Sequence, residues 1–258
     1  MFELLRAATT GCGRPVTTRE IEGAITNSAS CAWEPRTGNQ ASPLPSVATW
    51  PKPDGDRIET IVREGGGLAD LWETSPLRIE DADGLTELVV DQLFPGNPLL
   101  CCGASQADFD TQPRAAWQGK LATLQFIVAS PMTAITGVTK DGRPSKHSLD
   151  NTGPRRFLIC EFDQGATDDQ AALLLHLGQF APLVCVVHSG GKSLHGWFYV
   201  ANQPDTKVAR FFRYAVALGA DRATWTRSQF VRMPEGIRAD GRRQTVYFLN
   251  FKPLESAI

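Results

Sequence analysis

The chain has little of what marks a membrane, secreted or zinc-bearing protein. No apolar run approaches the ~20 residues that a bilayer span needs, so no transmembrane helix is expected. The first residues hold no basic stretch followed by an apolar core. No secretory signal is read there, and a cytoplasmic location is expected. Cysteine is sparse: Cys12, Cys31, Cys101, Cys102, Cys160 and Cys185. No pair has the C-x-x-C spacing of a zinc site. Cys160 and Cys185 lie inside apolar runs and read as small buried hydrophobes in a reducing compartment. There is no internal repeat and no low-complexity tract. The formal net charge is only −2, so bulk charge does not by itself point to a nucleic-acid binder.

Distribution says more than the average. Hydrophobic residues make up 42% of 258, enough for a sizeable core. From Asp205 to Lys252 ten basic residues face four acids, a local charge of +6 that leaves −8 for the rest. Eight of the ten are arginine, the residue that grips phosphate in a planar, bidentate way.

The pattern of elements is mixed α+β. Residues 1 to 34 look partly helical, with a capping-box spacing at Thr17-Thr18-Arg19-Glu20. Residues 35 to 56 are rich in Pro, Ser and Gly and read as a linker or surface arm. The division expected is therefore 1–56, a helical appendage with its linker, and 57–258, one larger domain. Helices are expected over 56–63, 85–93, 168–180 and 206–218. Strands are expected over 98–102, 124–128, 157–163, 183–187, 196–200 and 244–249. A polar loop spans 137–154.

Two carboxylates end the first strong strand pattern. In Leu158-Ile159-Cys160-Glu161-Phe162-Asp163 the period of two puts Glu161 and Asp163 on one face. Adjacent like charges call for cations, which suggests Mg²⁺ or Mn²⁺. An acid pair alone is more often a strand end reaching solvent.

Gly190-Gly191-Lys192-Ser193 tempts a Walker A reading. That motif needs a glycine at position 186, which is Val186, and a helix next, where Gly196-Trp197-Phe198-Tyr199-Val200 reads as strand. A β-turn fits better. Its glycines let backbone N–H groups approach phosphate, with Lys192, Ser193 and His195 adding donors. The plain alternative is a hairpin with a partly buried histidine. His147, His176 and His188 lack such company and read as structural or exposed.

In order, these motifs resemble the archaeo-eukaryotic primase superfamily, nearest to primase–polymerase proteins of plasmids, phages and other mobile elements. Glu161-x-Asp163 stands where the family has Asp-x-Asp or Asp-x-Glu. Ser193-Leu194-His195 matches its Ser-x-His, Asp221 its third acid, and Arg232 the later arginine that meets the triphosphate. Arg238, Arg242 and Arg243 compete for a further phosphate contact. The resemblance covers residues 95 to 252 and implies an RRM-like sheet with flanking helices. It implies two divalent metals on Glu161, Asp163 and Asp221, with His195 in the catalytic set. It also implies nucleoside triphosphate on Lys192, Ser193, His195, Arg232 and Arg238. Single-stranded DNA template would lie on the basic segment with Arg227, Arg242 and Arg243, and a separately encoded helicase is an expected partner. Trp225, beside the arginines, reads as core or as a base-stacking ring. The implied activity is template-directed nucleotidyl transfer. The competing expectations are a catalytically inactive DNA-binding replication module and a metal-dependent nuclease.

Overall fold

A computed structural model describes residues 17–19, 21–22, 49–78 and 85–255. The chain divides into two compact units, 1–48 and 49–258. In the first, Thr18, Arg19, Ile21 and Glu22 are helical, and the Ile21 N–H bonds the Thr17 carbonyl at 3.2 Å. Glu20 of the expected capping box, Cys12, Cys31 and the proline-rich stretch up to 48 lie outside the described residues.

The larger unit is α+β, and all its sheets are antiparallel. One sheet contains β1 (Leu99–Gly103), β2 (Phe109–Pro113), β3 (Phe126–Val128) and β9 (Phe230–Arg232), in the order β2-β1-β3-β9. The other contains β6 (Phe157–Phe162), β7 (Leu183–His188), β8 (Leu194–Tyr199) and β10 (Val246–Leu249), in the order β10-β7-β8-β6. A small hairpin of β4 (Gly137–Val138) and β5 (Pro144–Ser145) ornaments the polar loop. The helices are α1 (Gly55–Glu64), α2 (Leu68–Glu73), α3 (Leu85–Leu93), α4 (Thr167–Gly178), α5 (Asp205–Ala217) and α6 (Lys252–Glu255).

The β6 sheet is buried on both faces, which is why its strands read as continuous apolar runs. Phe157, Ile159, Cys185, Val187, Trp197 and Val246 share one core with Leu100, Cys102 and Ile127 of the β1 sheet and with α3. Leu158, Cys160, Phe162, Val186, Leu194 and Phe198 share the other with α4 and α5. The amphipathic stripe of α5, Val208, Phe212, Ala215 and Val216, faces this second core. Trp50 joins it, edge-on to Phe212 at 5.3 Å. Cys101, Cys102, Cys160 and Cys185 are buried free thiols, as their apolar surroundings foretold.

The run β6-α4-β7-β8-α5 follows the expected βαββα order. An RRM-like sheet would then return its last strand beside the first. Here β10 pairs with β7, at the edge opposite β6. The edge of β6 away from β8 is instead met by the turn after α5, where Thr224 Oγ1 donates to the Ile159 carbonyl at 2.7 Å. The RRM-like expectation therefore holds for the three strands β6-β8-β7 and not for the fourth.

Candidate active site

Two neighbouring strands of the second sheet carry the centre of the site. β6 and β8 run antiparallel with Glu161 directly opposite His195. Alternation sends both side chains to the face shared with Trp197 and Ile159. His195 Nε2 lies 3.5 Å from Glu161 Oε1. The imidazole is buried, and neither ring nitrogen makes a hydrogen bond. Burial pushes its pKa down to about 3, and Arg232 and His188 push the same way. The ring is therefore neutral at pH 7, so it offers hydrogen bonding and no positive charge.

Glu161 is shifted upward, first by burial, then by Asp221 and Asp163; Arg232 and a hydrogen bond from Ser193 oppose the shift. Asp221 and Asp163 thus both lie within electrostatic reach of Glu161. They do not form a ligand group: among the described residues no three His, Cys, Asp or Glu side chains are gathered to hold a metal ion. Lys192 Nζ lies 3.1 Å from Asp163 Oδ2 and holds that carboxyl below its usual range. Asp221 Oδ1 accepts from the Ala223 N–H at 2.9 Å and caps a short 3₁₀ turn. The Asp221 N–H donates to the Glu161 carbonyl at 2.9 Å. The main chain places two acids side by side, and local partners turn two of the three side chains aside. Carboxylate oxygens suit hard divalent cations, and the crowding of like charge on Glu161 fits one. Binding would have to displace Lys192 from Asp163.

The Gly-Gly-Lys-Ser segment is a turn between β7 and β8, as its sequence indicated. Gly190 adopts φ +70°. A Cβ there would meet the Arg243 carbonyl at 2.7 Å, so only glycine fits. The turn's amides are largely spoken for. Ser189 Oγ accepts from Gly191 at 3.3 Å and from Ser193 at 3.1 Å, and His188 Nδ1 accepts from Gly190 at 3.3 Å. Gln170 of α4, fully buried, fastens the same turn. Its Oε1 accepts from Leu194 N–H at 2.8 Å and its Nε2 donates to the Lys192 carbonyl at 2.9 Å.

The arginines divide. Arg232, on β9, lies within electrostatic reach of Glu161. Its proton affinity is lowered by burial and by Arg238, and raised by Glu161 and Asp240. Its guanidinium also lies 4.8 Å over the Phe126 ring. Arg238 crosses the glycine turn, donating from Nη1 to the Ser189 carbonyl at 3.1 Å. Arg232 and a neutral histidine with unpartnered nitrogens thus stand near Glu161, and Arg238 lies on the adjoining glycine turn. Arg227 donates to the Thr152 and Leu149 carbonyls, at 3.3 and 3.2 Å. Arg242 pairs with Asp240 at 2.6 Å, and Arg243 with the buried Glu235.

No protein-family model, curated protein or solved structure matches this chain.

Sequence reasoning missed Gln170, Ser189 and Glu235. Gln170 is a polar residue inside an apolar helix face, which is a usable signal, since such a group needs a buried partner. Ser189 sits beside the glycines and was legible as a turn former. Nothing in the sequence marks Glu235 as the partner of Arg243. Trp225 stacks on Phe212 at 5.3 Å with Arg155 at 4.7 Å over it, which places the ring in the second core.

Proposed function

We propose that the chain is a template-directed nucleotidyltransferase of the primase–polymerase kind, with its centre between Glu161 and Arg232. The reading is carried by one arrangement: a buried neutral His195 opposite Glu161, flanked by Asp221, Asp163, Ser193 and Arg232. Acid and guanidinium lie within electrostatic reach of each other, a pairing that suits a metal-bound triphosphate. Glu161, Asp163 and Asp221 would hold the divalent cations, which supply Lewis-acid activation of a primer 3′-hydroxyl and charge for the leaving pyrophosphate.

The chain's own residues supply position and charge. Arg232 and Arg238 repel each other, and a polyanion between them relieves that repulsion. Lys192, freed from Asp163 when cations arrive, would reach the same phosphates. Ser193 and neutral His195 orient oxygens by hydrogen bonds. Burial of His195 keeps bulk water from the imidazole, while Glu161 stays partly open to an incoming cation or phosphate. The source in a mobile element, the helicase partner and the DNA template on the basic segment belong to the same proposal.

A second reading, a replication module that keeps the fold without the activity, draws on Asp163 held by Lys192 and Asp221 held in its cap. Primer synthesis and primer extension on single-stranded template, with Mg²⁺ or Mn²⁺ and ribo- and deoxynucleotides tested separately, decide between them. Incorporation that disappears in Asp163→Asn and Asp221→Asn supports the enzyme. Absence of incorporation by the folded wild-type chain under every combination supports the inactive module.

A further inference from the structure

The end of β8 opposite His195 opens into a cleft whose chemistry differs from that around Glu161. Tyr199 lines it, four residues along the strand from His195, or about 13 Å at ~3.3 Å per residue. The cleft encloses about 1050 Å³. Its walls are Phe180 after α4, Arg57 of α1, and Lys207, Arg210, Phe211 and Tyr214 of α5. Among the described residues no carboxylate lines it. None of these residues takes part in the Glu161–His195 site.

We propose that this cleft binds a short segment of single-stranded nucleic acid. Lys207, Arg210, Phe211 and Tyr214 stand at spacings of three, four and seven, so they share one face of α5. Arg57 lies 5.8 Å over the Tyr214 ring. At a helical rise of ~1.5 Å per residue, the cations form a row with steps of roughly 4.5–6 Å along the axis. That row suits successive phosphates of a strand better than one compact anion.

The rings between the cations are braced for stacking. Phe180 keeps 59% of its surface exposed. It is held edge-on by Tyr214 at 5.5 Å and tilted against His176 at 5.2 Å. Phe211 rests on Phe198 at 5.0 Å, and Tyr214 takes a hydrogen bond to His176 at 2.7 Å. Rigid rings interleaved with cations are the means by which single strands are held without base-specific contacts. Past Arg57 the neighbouring hollow is lined by Asp54, Asp56 and Glu64, which ends the favourable path for an anion.

The test uses the full chain without divalent metal or triphosphate. Fluorescein-labelled oligothymidylate and oligouridylate of about 12 nucleotides are titrated by anisotropy, and 5-iodouracil oligonucleotides are cross-linked and mapped to peptides. Adducts are expected on the peptides bearing Phe180 or Tyr214. Phe180→Ala, at an exposed position, is expected to weaken binding at least about fivefold, one base stack lost. Lys207→Glu with Arg210→Glu is expected to weaken it further and to flatten the salt slope by about 1.4, two phosphate contacts. A preference between the two oligonucleotides identifies the strand as DNA or RNA, and either supports the cleft. Adducts confined to other peptides, or groove variants that bind like wild type, overturn it. So does competition by a mononucleotide or polyglutamate as effective as that by the oligonucleotide. Arg232→Ala is expected to leave the adducts in place, so failure of the proposed activity and failure of this cleft are told apart.

Discussion

The backbone N–H of Asp221 bonds the backbone carbonyl of Glu161 at 2.9 Å, across 60 positions of sequence. The clamp uses no side chain, and the Thr224 hydroxyl adds a second bond to β6 at the Ile159 carbonyl. Two carboxylates are therefore held adjacent by main-chain geometry, and their charge can be removed without removing the clamp.

The first prediction follows from that separation. Asp221→Asn keeps the side-chain oxygen that caps Ala223, so unfolding free energy should change by less than about 0.5 kcal/mol. Removing charge beside Glu161 should also lower the affinity for divalent cations. In the wild-type chain, Mg²⁺ or Mn²⁺ at ten times its dissociation constant should stabilise by about 1.4 kcal/mol. The variant should lose most of that gain at the same concentration. A thermal melt series against metal concentration reads both, and equal gains in the two proteins would remove Asp221 from the metal set.

The second concerns acid. His195 is held down to about 3 in the folded chain, and its ordinary value is ~6.5. Between these values the unfolded chain binds a proton that the folded chain does not. Stability therefore falls as pH drops through 6.5 and keeps falling until about 3. At pH 5 the loss from this residue alone is about 2 kcal/mol. Urea unfolding of wild type and His195→Gln at pH 7 and pH 5 isolates it. The variant should lose less stability between the two pH values, by that amount. Parallel losses would mean that the ring is already charged or reached by water.

The third concerns the turn. Gln170 satisfies one donor and one acceptor of the β7–β8 turn from inside α4. Gln170→Leu keeps the volume and leaves both unpaired, a cost of about 2–4 kcal/mol for two buried groups. Amide exchange at Leu194 should quicken in the variant while that at Cys160, mid-strand in β6, tracks only global stability. Unchanged protection at Leu194 would show that water replaces the glutamine.

Much of this was legible from local pattern. The apolar run marked the strand that carries Glu161, although β6 ends at Phe162, one residue short of Asp163, and turn chemistry made 189–193 a hairpin turn and not a P-loop. The apolar spacing of α5 gave its buried stripe. What stayed hidden was long-range. β9 is only three residues long, Phe230 to Arg232, and has strand form because β3 pairs with it. The position of β10 beside β7 depends on which sheet edge is free, which no local pattern encodes. For the arginines, sequence gives a charge but not its partner. Arg232 and Arg238 reach the site, while Arg227 spends its donors on carbonyls of the loop before β6.

The last prediction separates two neighbours that sequence treats alike. Arg242 is exposed and pairs with exposed Asp240, whereas Arg243 reaches the Glu235 carboxylate, whose side chain is 2% exposed. Glu235 also accepts the Val246 N–H at 2.6 Å, and its backbone sits at φ +60°. It is the anchor of the turn leading into β10. Removing the guanidinium leaves that carboxylate buried with less compensation. Because Arg243 is itself 42% exposed, the cost should be about 1–3 kcal/mol, below that of a fully buried pair. Arg243→Ala should therefore lower the unfolding free energy, and Arg242→Ala should leave it unchanged. Arg243→Ala with Glu235→Gln should recover part of the loss, because a neutral amide is cheaper to bury than an unpaired charge. If Arg242→Ala and Arg243→Ala melt alike, the Glu235 contact contributes nothing, and both arginines become equal candidates for a nucleic-acid strand.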